Sequence, residues 1–83
     1  MNTTQQKITV HFAGEDFWGR IVFKGDNGRF YKTTVLNPEE GFPNLPRDEQ
    51  ESLFTDLHTC GIHFDGEPCF PCNLEKFILA TTA

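Results

Sequence analysis

Ile8, Val10 and Phe12 alternate with Lys7, Thr9 and His11, the two-residue period of a strand with one buried face. Turn residues Ala13-Gly14-Glu15-Asp16 interrupt the pattern, which resumes over 17–24, stops at Gly25-Asp26-Asn27-Gly28 and returns over 29–36. Gly, Asp and Asn tolerate the positive φ angles of tight hairpin turns, so 17–36 reads as a β-hairpin. With Asp26-Asn27 as a two-residue loop, Lys24 faces Arg29, Val22 faces Tyr31 and Arg20 faces Thr33. That pairing puts Trp18, Arg20, Val22, Lys24, Arg29, Tyr31, Thr33 and Val35 on one side of the hairpin. Phe17, Ile21, Phe23, Phe30 and Leu36 take the other, with Lys32 and Thr34 as polar exceptions. The apolar side is the expected core face.

Asn37 to Pro43 reads as an irregular connector, because Pro38 and Pro43 lack a backbone donor and push their predecessors away from helical angles. A helix is predicted over 46–58, capped by Asn44, acidic in its first turns and closed by Gly61, with Leu53, Phe54 and Leu57 as its apolar stripe. Ile62 to Phe64 reads as a short strand, Asp65-Gly66-Glu67-Pro68 as a turn and Lys76 to Thr81 as a last strand. For the last segment Asn73 offers an alternative, capping a helix with Leu74, Phe77 and Ile78 on one face. The fold expected is α+β: a small antiparallel sheet of three to five strands with one helix packed on a Phe-rich face. Residues 1–6 are expected to be a loose polar end and 7–83 a single compact domain.

A chain of 83 residues has room for one core, and nine Phe with one Trp and one Tyr must fill much of it. The net charge of −5 opposes nonspecific attraction to nucleic acid or an anionic membrane. Charge is unevenly spread: residues 1–32 hold five basic and three acidic side chains, and residues 33–83 hold two and nine. The polar opening does not read as a secretory signal, and no stretch approaches the length of a membrane span. The three cysteines all lie between positions 60 and 72, too clustered for a distributed disulfide framework. Reduced thiols and a cytoplasmic setting are the expectation.

Two constellations bear chemistry. Cys60-Gly-Ile-His63 and Cys69-Phe-Pro-Cys72 give two ligand pairs, each with two intervening residues, and three thiolates with one imidazole make a structural zinc set. The alternative for the same residues is small buried hydrophobes, with His63 on a polar strand face, since the five residues between the pairs force a tight double turn. Cys69-Phe-Pro-Cys72 also has the spacing of a thiol redox pair, although only eleven residues follow it, where thioredoxin-like proteins place much of the domain. On the hairpin, Trp18, Arg20, Lys24, Arg29 and Tyr31 form a basic aromatic surface able to meet a protein, or a phosphate backbone with stacked bases. No Ser, Cys or His stands in a recognisable nucleophile and base arrangement. The sequence therefore points to a noncatalytic interaction or accessory module without a cofactor. The alternatives are a zinc-stabilised domain and a nucleic-acid binder using hairpin 18–33.

Overall fold

A computed structural model describes residues 7–80; the expected loose end at 1–6 and the close of the last predicted strand lie outside the described residues. Among the described residues five strands, β1 (Ile8–Glu15), β2 (Arg20–Gly25), β3 (Phe30–Leu36), β4 (His58–Gly61) and β5 (Phe77–Leu79), form one sheet in the order β4-β3-β2-β1-β5. One helix, α1 (Arg47–Phe54), packs on it beside a 3-10 turn at Phe42–Asn44. The class is α+β as expected. The sheet is mixed rather than purely antiparallel, because the chain leaves the β4 edge, crosses the core face and enters beside β1 in the same direction. Cys72, Leu74 and Phe77 pack against the core along this crossing. Parallel neighbours need such a crossover connection, which strand patterning alone does not reveal.

Hairpin register is the main correction. Lys24 pairs with Phe30, Phe23 with Tyr31 and Val22 with Lys32, one residue away from the expected pairing. The cause is a three-residue loop. The Gly25 N–H donates to the Arg29 carbonyl at 2.8 Å, the Gly28 N–H donates to the Gly25 carbonyl at 3.0 Å, and Gly28 takes φ 84°. A tight turn followed by a glycine with positive φ is the usual three-residue hairpin connection. A slip of one residue moves every β3 side chain to the opposite face. Tyr31 therefore lies in the core at 5% exposure, and Phe30 sits on the other face, with its ring edge-on to Phe64 at 5.5 Å. A bulge between Phe12 and Gly14 lets β1 run on to Glu15 instead of turning.

The core joins Val10, Ile21, Phe23, Tyr31, Phe42, Phe54, Leu57 and Leu79. Phe23 is its centre, edge-on to Phe42 at 5.1 Å and to Phe54 at 5.5 Å. Phe17 and Leu36, expected here, are exposed. The helix is shorter than predicted: Pro46, not Asn44, stands at its N-cap, and after Phe54 the chain tightens into turns that carry Leu57 into the core. Asp56 ends it by turning back to β3, where its carboxylate accepts from the Thr34 N–H at 2.7 Å and hydroxyl at 2.6 Å. His58, Thr59, Cys60 and Gly61 then form β4, so the strand lies four residues earlier than Ile62–Phe64. Both readings of 73–81 hold in part: Asn73 caps a 3-10 turn at Leu74–Lys76, and β5 follows.

Phe23→Ala should cost about 3 to 5 kcal/mol, the usual penalty for removing a buried ring. Urea unfolding measures it, and a loss below about 1 kcal/mol would be incompatible with Phe23 at the centre of the core.

Candidate functional site

The face of the sheet opposite the helix carries a buried charged cluster. Lys32, fully buried on β3, donates from Nζ to the Asp16 carboxylate at 2.7 Å, the Gly66 carbonyl at 2.6 Å and the Phe64 carbonyl at 3.0 Å. A lysine ammonium has three donors, and all three are used. Asp16 opens the turn between β1 and β2. Its Oδ1 accepts from the Trp18 N–H at 2.9 Å and the Arg20 N–H at 2.8 Å, and its Oδ2 accepts from Arg20 Nε at 2.9 Å as well as from Lys32. Burial pushes the Asp16 carboxyl up, but its hydrogen bonds from Lys32 and Arg20 outweigh that and hold it well below the usual carboxylate range. Burial likewise opposes the Arg20 charge, and its bond to Asp16, then that to Glu67, reverses the effect and raises it. Lys32 thus ties two segments to β3: the turn at 16–20 and the loop at 62–68 that lies over this face.

What the cluster holds in place is apolar and exposed. Phe17 and Trp18 sit in the pinned turn at 84% and 62% exposure, ring edge to ring face at 5.9 Å. Asp65 fixes the turn from the other side, accepting the Phe17 N–H at 3.0 Å. Leu36, 65% exposed at the end of β3, leans over Gly19 and extends the patch. The Asn37 N–H donates to the Gly19 carbonyl at 2.7 Å and closes the turn against β3.

No family model, no curated protein and no solved structure matches this chain. The reading of the site rests on its geometry.

Of the surface expected from sequence, only part assembles. Trp18 is exposed, but Arg20 is largely enclosed and ion-paired to Asp16 and Glu67. Tyr31 is in the core, its hydroxyl accepting from Asn27 at 2.9 Å. Lys24, with its ammonium 5.8 Å from the Phe30 ring centre, and Arg29 lie at the opposite end of the hairpin from Trp18. The five do not form one basic aromatic face.

Nor are the four expected zinc ligands brought to one point. The Cys60 thiol turns inward and donates to the carbonyls of His63 at 3.1 Å and Gly66 at 3.4 Å. Cys72 packs against the core, while His63 and Cys69 are exposed. Among the described residues no three His, Cys, Asp or Glu side chains form a metal-holding group. Burial raises the Cys60 thiol despite the nearby Lys32 ammonium, and pushes Cys72 up to about 11. Thiols held protonated are weak nucleophiles. Arg29, Tyr31, Cys60, Cys69 and Phe70 do share an open groove of about 350 Å³ along β4, walled also by Thr59 and Gly61.

Sequence reading missed Asp16 and Lys32 as a pair. The available signal was Lys32 itself, a lysine expected on an otherwise apolar strand face, which needs a buried partner.

Lys32→Met should destabilise by about 1 to 3 kcal/mol at neutral pH, since it removes one of the two cations paired with the buried Asp16 and leaves the Phe64 and Gly66 carbonyls without their shared donor. The pH dependence has a fixed sign: a depressed carboxylate contributes its stability fully above its unfolded value of about 3.9, and that stability is lost as pH falls toward the folded value. Urea midpoints should therefore fall progressively below about pH 5, and less steeply in Asp16→Asn. Equal slopes in the two proteins would refute the ion pair.

Proposed function

We propose that this chain is a noncatalytic interaction module that binds another protein through Phe17, Trp18 and Leu36. The observation that carries this reading is the combination of high exposure and a fixed backbone: two adjacent aromatic rings project from a turn whose amides are held by Asp16 and Asp65. Clustered exposed apolar side chains mark contact surfaces in soluble proteins. Trp is also among the residues that dominate binding energy at interfaces. A surface already held in one conformation loses less entropy on binding.

The noncatalytic part of the reading draws on how the reactive groups are engaged. Lys32 has no donor left for a substrate, and Cys60 and Cys72 are kept as thiols. His58 is engaged through Nδ1 with the Asp56 carbonyl at 2.6 Å. Among the described residues no helix is long and apolar enough to cross a membrane.

The test uses peptides selected from a random displayed library on the intact chain, with binding measured against Phe17→Ser/Trp18→Ser. Both side chains project from the fold, so thermal stability should change by less than about 0.5 kcal/mol per site. Affinity for the selected peptides should drop by roughly 30-fold or more, as expected for loss of an aromatic hot spot. Peptides that bind the double variant as tightly as the parent would place the binding surface elsewhere.

A further inference from the structure

We infer that the partner segment recognised by the Phe17–Trp18–Leu36 patch is apolar and flanked by lysine or arginine; this rests on the reading of that patch as a protein-binding surface. The inference comes from the charges around it. Asp65 touches the patch directly through the Phe17 N–H. Glu15, two residues before Phe17, holds Asn37 Nδ2 at 2.8 Å beside Leu36. Glu67 accepts from Arg20 Nη1 at 3.3 Å while 73% of its own side chain remains exposed. Three solvent-facing carboxylates therefore rim one apolar surface.

The cations at this end of the sheet do not cancel them. Lys32 is buried and neutralised by Asp16, and the Arg20 side chain, only 13% exposed, is divided between Asp16 and Glu67. With two internal cations against one internal and three external carboxylates, the field reaching solvent here is negative. Lys24 and Arg29 flank the hairpin tip at the other end of β2 and β3, too far along the strands to alter it. An apolar centre with an acidic rim favours a partner that presents large apolar side chains between basic ones. The rim contributes mainly to encounter rate and to discrimination between partners, and both effects weaken with salt.

The experiment separates this inference from the reading beneath it. Peptides selected from a random displayed library on the intact chain are titrated against three proteins: the parent, Phe17→Ser/Trp18→Ser, and Glu15→Gln/Glu67→Gln. Glutamine keeps an oxygen acceptor for Asn37 and Arg20, and a thermal melt checks that the fold is intact. Asp65 is left in place because it holds the Phe17 amide.

The selected peptides should be enriched in Lys or Arg beside aromatic or aliphatic residues. The glutamine variant should bind them roughly two- to five-fold more weakly per removed charge near 0.05 M salt, and the difference should shrink near 0.5 M. Peptides that need Phe17 and Trp18 but show no basic enrichment and ignore the glutamine changes would overturn the inference and leave the surface standing. Peptides indifferent to both variants would overturn the surface as well. Self-association of the parent, abolished by either variant, would make the occupant the basic end of a second copy and overturn the separate partner.

Discussion

Lys32 occupies a position where water cannot reach its ammonium, and the fold on that side of the sheet is arranged around satisfying it. An isolated buried charge costs several kcal/mol, so the protein must bring an anion and two carbonyl oxygens to one atom. Asp16 comes from the turn after β1, and the Phe64 and Gly66 carbonyls come from the loop after β4. Two connecting segments, far apart in sequence, are thereby fixed to β3. The net gain in stability from such a pair is small or negative compared with an apolar substitute of similar shape. Its effect is on geometry, since the second face of the sheet is covered by a loop rather than a helix. A loop has few apolar contacts of its own with which to fix its path; here Phe64 against Phe30 is the principal one.

That constraint also explains why large aromatic side chains can face solvent in an ordered way. The same Asp16 that neutralises Lys32 uses its other oxygen to hold the Trp18 and Arg20 amides. The conformation of the turn and the burial of the lysine are therefore one arrangement, and neither can be disturbed without the other. The apolar patch inherits its rigidity from a charge pair on the inner side of the turn. Two of its three rim carboxylates come from the same loop, because Asp65 and Glu67 bracket the Gly66 carbonyl that Lys32 holds.

Sequence patterning made the strands of the hairpin, the Phe-rich core and the α+β class legible, because each depends on local alternation. Ile21, Phe23, Phe54 and Leu57 were assigned to the core correctly. The hairpin register was not legible, since Asp26-Asn27 and Asp26-Asn27-Gly28 are both good turns and the choice between them depends on whether Gly25 pairs with Gly28 or Arg29. From that single residue followed the exchange of Tyr31 with Phe30 and the dispersal of the expected basic aromatic face. Parallel β5 was hidden for a different reason: its neighbour β1 lies at the other end of the chain. The Cys/His spacing suggested a ligand set because spacing does not show direction. In the fold Cys60 points beneath the loop, Cys72 faces the core, and the β4 pairing leaves Cys69 outside.

Hydrogen exchange at individual amides measures most directly whether Lys32 and Asp16 hold the turn. In the parent chain the amides of Trp18, in the exposed connection, and of Arg20, at the start of β2, are both bonded to Asp16 and should be protected. In Lys32→Met, under conditions where the Phe23 amide stays protected, the account predicts that Trp18 and Arg20 lose their protection together with the 62–68 loop. Unchanged protection at Trp18 and Arg20 in a folded Lys32→Met protein would contradict it.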